Sequence, residues 1–331
     1  MPSVFVSPTA AACEMPSLVR PHEPVLLEEI TRLLAPLAGA TVIDATFGAG
    51  GHSAALIAAI GATGRLIAID RDPEAKEHFD RLAREVPCAM RFVRGDFADV
   101  LPKIAADGIR ADAILMDLGV SSMQVDRPER GFSYSRQAPL DMRMDPDLPR
   151  SAADLIAESG EAELAGWFRE YGEERYARAI ARAIVRARDD ESVATTNDLV
   201  EVIRRAIPIP AQFAGGHPAK RVFQALRIVV NDELGSLARA LPSAFSALAP
   251  GGRLGVISFH SLEDRAVKRF MAARAKGCSC PPELPACVCG RTPEGLLRTP
   301  RAVMPKADEI ERNPRARSAR LRVVANAGGA A

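Results

Sequence analysis

The sequence predicts an α/β fold in which helices cover a parallel β-sheet and a long, mostly helical segment interrupts the sheet. Apolar, strand-like runs alternate with helical patterns at regular intervals, and each run ends at or just before an acidic residue. These acids are Asp44, Asp70, Asp96 and Asp117. Because the carboxyl ends of parallel strands meet at one edge of a sheet, the four acids are expected to face one ligand crevice.

The glycine-rich turn after the first strand is the most informative segment. Residues 42–53 have the sequence VIDATFGAGGHS, followed by a helical pattern from Ala54 to Ile60 and a second strand from Arg65 to Asp70. Glycine accepts positive φ and lets the backbone approach a ligand closely. Asp70 is placed to accept hydrogen bonds from two ribose hydroxyls. The segment therefore predicts a βαβ unit that binds a nucleoside.

Two residues distinguish this turn from a dinucleotide fingerprint. Ser53 stands where the third glycine of G-x-G-x-x-G would fall. Asp44, four residues before Gly48, would repel a pyrophosphate but suits the ammonium of an amino-acid-bearing cofactor such as S-adenosylmethionine. A phosphate-bearing dinucleotide and a turn without any ligand remain as alternatives.

The spacing of the later strands predicts the domain organisation. Strand patterns at Met90–Arg94 and Ala113–Asp117 are followed by no convincing buried strand until Arg253–Ser258. We predict a disordered tail at 1–21, a discontinuous core domain at 22–125 and 219–331, and a mostly helical insert at 126–218. Ser151 and Thr196 are expected to cap helices in the insert. A single helix is expected from Ala219 to Ala240, because apolar residues recur there at 3–4 spacing.

Composition limits the class of protein. The 331-residue chain has a net charge of +1 and no uncharged apolar stretch long enough to span a membrane. No signal peptide is recognisable, so a cytoplasmic location is expected. From Arg253 onward there are 15 Lys/Arg against 7 Asp/Glu. This asymmetry favours a polyanionic partner such as nucleic acid, with a solvated basic tail as the alternative.

One helical segment of the insert carries a basic stripe. At about 100° per residue, four arginines fall on one side of a helix, and Ala177, Ile180, Ala181 and Ile184 fall on the other. The arginines are Arg175, Arg178, Arg182 and Arg186. The stripe could track phosphates or could simply be a solvated face, and the preceding acids Glu173 and Glu174 fit the second interpretation.

Four of the six cysteines lie close together near the carboxyl end of the chain. Two C-x-C pairs, Cys278/Cys280 and Cys287/Cys289, flank a proline-rich loop. Four thiolates can surround one Zn²⁺, although the usual zinc knuckle has C-x₂-C spacing. We predict an unmetallated surface loop and no metal site, with structural zinc as the alternative.

Longer motifs carry a family resemblance that extends over about residues 22 to 325. Together they closely resemble the bacterial 16S ribosomal RNA cytosine-N4 methyltransferases. The motifs are HEPVLL (22–27), DLGVSSMQ (117–124), RGFS (130–133), LDMRM (140–144), SFHSLEDR (258–265) and NPRARS (313–318). The resemblance implies a class I S-adenosylmethionine-dependent methyltransferase fold, Rossmann-like, with an inserted helical domain that recognises RNA. It also implies methylation of the exocyclic N4 of a cytidine in the decoding centre, with 16S rRNA and the 30S subunit as partners. A homodimer is left open, and no membrane association is expected.

The resemblance also assigns the cofactor site. In this family, S-adenosylmethionine is bound by the glycine turn and by an acid that contacts the ribose. An aromatic residue lies against the adenine, and two further residues lie beside the methionine end. The corresponding residues here are Gly50, Gly51, His52, Asp70, Phe97, Asp117 and Gln124. From the residues themselves we add Asp44 as an indirect partner of the ammonium and Asp96 as an acceptor for the adenine amine.

Candidate catalytic residues follow from the chemistry of an exocyclic amine, whose lone pair is delocalised into the ring. An acceptor for an N4 proton would help to localise that lone pair. Many amino-methyltransferases place an acid- or Asn-headed proline-aromatic motif after strand four, whereas this chain has DLGVS at 117–121. We therefore predict Asp117 as the orienting residue, Ser121 and Ser122 as nearby acceptors, and His260 as a proton acceptor or base-binding group. Each of these residues has a structural alternative. Ser121 and Ser122 could cap a turn, and His260 could anchor its loop to Asp264. The alternative function for the whole protein is a non-catalytic RNA-binding factor.

Overall fold

The chain forms two compact units. The computed structural model describes residues 24–190, 192–213, 217–278, 280–281, 284, 286 and 288–328. The first unit comprises the described residues up to Gly119 and from Gly235 onward, and the second comprises those within Val120–Leu234. The expected insert at 126–218 falls inside the second unit. The predicted tail at 1–21 and the first two residues of the HEPVLL motif lie outside the described residues.

A seven-stranded sheet organises the first unit, with the order β3-β2-β1-β4-β5-β7-β6. Strands β1 to β5 are parallel, and β7 runs antiparallel to both β5 and β6. The predicted α/β class with a parallel sheet is confirmed, and the sequence did not predict the antiparallel strands β6 and β7 at one edge. The strands are β1 Thr41–Asp44, β2 Arg65–Asp70, β3 Ala89–Arg94, β4 Ala111–Asp117, β5 Leu248–Ser258, β6 Gly295–Leu297 and β7 Arg320–Asn326.

Fourteen α-helices accompany the sheet within the described residues. In chain order they are α1 Leu27–Leu34, α2 Gly51–Ile60, α3 Ala75–Glu85, α4 Phe97–Ala106, α5 Ser122–Asp126, α6 Ala152–Glu158, α7 Glu161–Glu170, α8 Ala177–Asp190, α9 Thr196–Ala206, α10 Ile209–Phe213, α11 Lys220–Asn231, α12 Glu233–Ser246, α13 Ser261–Ala275 and α14 Ala307–Arg312. Among the described residues, no helix combines the length and the apolar character that a membrane span requires.

Two apolar layers sandwich the sheet, as the alternation of side chains along a strand requires. Val42 and Leu66 pack into the layer on one face, with α1, α2 and α3. Ile43 and Ile67 pack into the layer on the other face, with α4, α12 and α13. Burial on both faces explains why these strands are continuous apolar runs rather than alternating ones.

The second unit has an apolar core of its own, built on helices α6 to α9 and α11. The predicted inward face of α8 is confirmed, since Ala177, Ile180, Ala181 and Ile184 are all buried. Ser151 caps α6 through a capping box, as expected. The cap of α9 is Thr195 rather than Thr196, because Thr195 receives the backbone N–H of Asp198.

The helix expected from Ala219 to Ala240 is two helices. Asp232 ends α11 in the left-handed region, with φ 47°, and α12 begins at the next residue. The side chain of Asn231 just before the break is buried, donates to the carbonyl of Met142 at 2.8 Å and accepts from the amide of Met144 at 2.7 Å. These bonds hold the LDMRM motif against the end of α11.

Candidate active site

Three carboxylates lie at the ends of adjacent strands in the first unit. Asp44, Asp70 and Asp117 are the last residues of β1, β2 and β4, and these strands are neighbours in the sheet. Burial raises the pKa of each of these acids, and the negative charge of Asp44 raises the pKa of Asp70 and Asp117 further. The strand ends therefore concentrate negative charge that favours a cationic ligand.

The side chain of Asp44 forms hydrogen bonds within the glycine turn and is not exposed to solvent. Its side chain is buried, accepts the hydroxyl proton of Ser53 at 2.7 Å and accepts the amide of Thr46 at 3.1 Å. The serine that departs from the dinucleotide fingerprint is therefore the partner of the first-strand acid. Asp44 ties β1 to α2 and can influence a bound ammonium only indirectly.

The backbone conformation and the close packing of the turn require its glycines. Gly48 and Gly50 have positive φ values of 53° and 77°. A Cβ on Gly50 would lie 2.7 Å from Cζ of Phe47, and one on Gly51 would lie 2.5 Å from Cγ of Pro24. Larger residues at either position would force the turn apart, so the turn holds a fixed shape at the strand end.

Asp70 links this turn to the segment after β2. One carboxylate oxygen accepts from the amide of Gly48 at 2.7 Å, and the other accepts from the amide of Asp72 at 2.8 Å. Burial raises the pKa of Asp70 to about 6, so the carboxylate is ionised at neutral pH. Each carboxylate oxygen has a second lone pair, which leaves acceptor capacity for ribose hydroxyls.

His52 and Asp117 face each other across the turn. The ring of His52 is buried, with Nε2 donating to the carbonyl of Val25 at 2.8 Å and Nδ1 3.6 Å from Oδ2 of Asp117. The amide of Asp117 donates to the hydroxyl of Thr46 at 2.6 Å. Oδ1 of Asp117 is buried and has no hydrogen-bond partner among the described residues. Burial raises the pKa of Asp117 to about 6.

An unpartnered buried acceptor is costly unless a ligand satisfies it. Asp117 therefore has the property expected of a group that binds an ammonium or an amine.

Phe97 and Asp96 begin α4 at the end of β3. Asp96 caps the helix by accepting from the amide of Ala98 at 2.8 Å. It also accepts from Arg71 at 2.5 Å and from the hydroxyl of Ser236 at 2.6 Å. The guanidinium of Arg71 lies 5.9 Å from the centre of the Phe97 ring. Asp96 thus has three partners already, and its role towards an adenine amine stays a prediction.

His260 caps the helix that follows β5. Its Nδ1 accepts the amide of Glu263 at 3.4 Å, and the Glu263 carboxylate receives the amide of His260 in return at 3.3 Å. An accepting Nδ1 places the ring proton on Nε2. Nε2 lies 3.2 Å from Oε1 of Glu263, although the angles do not make this contact a hydrogen bond. The ring is anchored to Glu263, and not to Asp264 as the structural alternative proposed.

Asp264, on α13, binds arginine side chains of the sheet. Its carboxylate accepts two hydrogen bonds from Arg322, at 2.7 Å and 3.1 Å, and one from Arg320 at 3.3 Å. These arginines lower the pKa of Asp264 against the effect of burial. The SFHSLEDR motif therefore fixes α13 to β7.

Ser121 and Gln124 belong to the second unit, where they form a capping box on α5. Ser121 Oγ accepts the amide of Gln124 at 3.3 Å, and Gln124 Oε1 accepts the amide of Ser121 at 3.1 Å. Gln124 is buried. The expected capping role of Ser121 is thus present, and the catalytic role of Ser121 and the methionine-binding role of Gln124 stay predictions.

Sequence patterns missed several side chains that shape the site. Ser53, Thr46, Arg71 and Ser236 all hold the strand-end acids, and only Ser53 had been singled out. Ser236 lies 140 residues from Asp96 along the chain. Local spacing contains no signal for such a pair.

Comparison with known proteins decides the family. The sequence matches the family described as the MraW methylase family over residues 19–327. The chain belongs to the MraW methylase family. This membership confirms the expected family and supports S-adenosylmethionine as the cofactor.

Curated relatives of this family member are similar over almost their whole length. The protein named ribosomal RNA small subunit methyltransferase H from Rubrobacter xylanophilus is 53% identical over 304 residues, covering 91% of this chain and 95% of the relative. Its namesake from Symbiobacterium thermophilum is 52% identical over 309 residues, covering 92% and 96%. That from Heliobacterium modesticaldum is 48% identical over 303 residues, covering 91% and 97%.

Proposed function

We propose that this protein transfers a methyl group from S-adenosylmethionine to the exocyclic N4 of a cytidine in the decoding centre of 16S rRNA. The observation that carries the proposal is the buried Oδ1 of Asp117 beside the glycine turn, which has no hydrogen-bond partner in the described part of the chain. Membership of a methylase family and relatives named as small-subunit rRNA methyltransferases support the substrate class. The cytosine N4 specificity rests on the motif resemblance. The reaction would take place in the cytoplasm on the 30S subunit.

The residues at the strand ends fit S-adenosylmethionine. Gly50, Gly51 and His52 would form the turn beneath the cofactor, Asp70 would accept its ribose hydroxyls, and Phe97 would contact the adenine. Asp117 and Gln124 would bind the methionine end. The test of this fit is the Oδ1 atom of Asp117, because the cationic amino group of a methionine would satisfy a buried acceptor for which the described residues provide no partner. S-adenosylmethionine supplies an electrophilic methyl group on a positively charged sulfur.

The protein would accelerate transfer mainly by holding the amine in line. Orientation converts a bimolecular step into an effectively unimolecular one, and a poor nucleophile gains most from it. Asp117 is ionised at neutral pH and can accept an N–H from N4, which helps to localise the lone pair on that nitrogen. His260 is a weaker candidate for accepting a proton, because its Nδ1 is already used in the α13 cap. Ser121 remains a candidate acceptor.

The second unit is proposed to recognise RNA. The four arginines of the stripe, Arg175, Arg178, Arg182 and Arg186, are exposed, but Arg175 lies in the turn before α8 and not on the helix as expected. Arg182 lies 3.4 Å from the carboxylate of Glu161, and both side chains are about half exposed, so this pair is weak. A phosphate could displace Glu161 at little cost, and the stripe can therefore contribute to binding a ribosomal RNA.

The experiment that tests the function uses small subunits from a strain that lacks the enzyme. The full chain is incubated with these subunits, or with free 16S rRNA, and labelled S-adenosylmethionine, and the RNA fragments are analysed by mass spectrometry. We expect one N4-methylated cytidine in the decoding centre. Asp99→Asn, at an exposed position on α4, is the matched control for Asp117→Asn. Binding of the subunit without methyl transfer would favour the alternative of a non-catalytic assembly factor, and a methyl group on another base would refute the N4 assignment.

A further inference from the structure

A cluster of cysteine thiols lies in the irregular segment between α13 and β6, and none of its members belongs to the candidate active site. The Sγ atoms of Cys278, Cys280 and Cys289 all lie within 4.8 Å of one another. Those of Cys278 and Cys289 are 3.8 Å apart. We propose that these thiols hold a structural zinc ion. The sequence favoured an unmetallated loop because of the tight C-x-C spacing, and the spatial arrangement reverses that preference.

The separations fit a tetrahedral zinc–thiolate site. Zinc–sulfur bonds of about 2.3 Å in a tetrahedron place sulfur atoms about 3.8 Å apart. The Cys278–Cys289 distance matches this spacing. It is far longer than the roughly 2.05 Å of a disulfide bond. Three converging soft ligands in one segment select zinc over the hard cations, which prefer oxygen.

Backbone geometry prepares the first C-x-C pair for a metal. The amide of Cys280 donates to Sγ of Cys278 at 3.4 Å. An N–H directed at sulfur stabilises the thiolate, which is the form that binds zinc. The C-x-C spacing thus gives Cys280 two roles. It offers its own thiol, and its backbone amide donates a hydrogen bond to the sulfur of Cys278.

The segment is held at its base, and two of its described apolar side chains are exposed. The amide of Glu294 donates to the carbonyl of Arg274 at 3.0 Å, and the same two residues form an ion pair. Within the segment, Leu284 and Val288 are 44% and 78% exposed. Among the described residues of the segment, these two apolar side chains contribute little burial, and a metal can supply ordering free energy.

The proposal rests on the three described thiols. The sequence provides one further cysteine in the same segment, Cys287, which lies outside the described residues. Zinc in structural sites is almost always four-coordinate, so a fourth ligand is expected to complete the site.

Metal analysis of the full-length chain tests the proposal. The protein is purified with a reducing agent and without added chelator, and its metal content is measured by mass spectrometry. We expect about one zinc per chain. Cys278→Ser and Cys289→Ser are expected to lose it, whereas Cys88→Ala, which removes the buried thiol of the sheet domain, is expected to keep it. Co²⁺ titration of the wild-type chain gives a second readout that does not depend on any variant, because thiolate-bound Co²⁺ has intense charge-transfer absorption.

Four results would overturn the proposal. A wild-type chain that neither retains zinc nor develops thiolate–Co²⁺ absorption would exclude the site. Retention of zinc by both serine variants would place the metal elsewhere. Iron in place of zinc would indicate a cluster of another kind. A mass lower by two hydrogens, with no metal, would show that the thiols form a disulfide.

Discussion

At the scale of single residues, the site depends on carboxylates held in unfavourable surroundings. Burial raises the pKa of both Asp70 and Asp117 to about 6. Asp70 is compensated by two backbone amides, whereas Oδ1 of Asp117 has no partner among the described residues. The protein thus bears a cost at Asp117 that a cationic or amine ligand would offset, which is the usual exchange of stability for function.

Replacing Asp117 by Asn should therefore stabilise the cofactor-free protein at neutral pH. The folded pKa of about 6 exceeds the ordinary value of 3.8, so the folded state binds more protons than the unfolded state between these pH values. Stability is consequently lost as the pH rises from about 4 to 6. We expect Asp117→Asn to melt a few degrees higher than wild type at pH 7.5, corresponding to at most about 3 kcal/mol, with about half of that gain left at pH 5.

The same variant should bind S-adenosylmethionine more weakly, by about 1–3 kcal/mol in calorimetry. Asp99→Asn is the control, and it should change neither property. A variant that binds the cofactor as tightly as wild type would show that Asp117 does not contact it.

Asp70→Ala is predicted to weaken cofactor binding for a different reason. The change removes the ribose acceptor and also releases the amides of Gly48 and Asp72. We expect a loss of about 1–3 kcal/mol in affinity and a lower melting temperature, with the α/β fold retained. Calorimetry and circular dichroism check the two parts. Unchanged cofactor affinity would refute the ribose assignment.

At the scale of elements, some polar residues of the family motifs cap helices. His260 caps α13, and Asn is a better cap residue than Ala. We expect His260→Ala to cost about 0.5–2 kcal/mol of stability and to slow methyl transfer, and His260→Asn to recover both. Single-turnover rates and thermal unfolding measure this. A stable His260→Asn variant that remains slow would show that the imidazole itself takes part in the reaction.

Three arginines of α8, namely Arg178, Arg182 and Arg186, are exposed on the side opposite its buried residues. Reversing two of them, with Arg178→Glu and Arg182→Glu, should weaken binding to RNA or subunits and flatten its salt dependence, because fewer counterions are released. Cofactor affinity should stay the same. Arg205→Glu, at an exposed position on α9, is the matched control. Equal salt slopes for the double variant and wild type would identify the stripe as a solvated face.

At the scale of the whole molecule, each unit has apolar packing of its own, two layers on the sheet in the first unit and one core in the second. The first unit holds the strand-end carboxylates, and the second has its own core around Phe168, which is fully buried. The single tryptophan of the chain, Trp167, packs against this second core. Its fluorescence therefore reports on the second unit.

Phe168→Ala should destabilise the second unit by about 3–5 kcal/mol. We expect the tryptophan transition to move to lower urea concentration. Cofactor binding in the absence of urea should be largely kept, since Gln124 is the only predicted cofactor residue in that unit. Loss of all cofactor binding in a folded variant would show that the second unit contributes more to the site than Gln124.

The sequence alone determined the features that depend on neighbouring residues. Periodicity and turn chemistry suffice to predict the strand runs ending in acids, the glycine turn and the inward face of α8, because all three are local patterns. The motifs indicated the family by resemblance alone. Tertiary structure decided the rest. It placed the antiparallel strands β6 and β7 at the edge of the sheet and ended a helix at Asp232. It also paired His260 with Glu263 and brought the thiols of Cys278, Cys280 and Cys289 close together. The physical reason is that the partner of a polar group, such as Ser236 for Asp96, is chosen by packing between segments far apart in the chain.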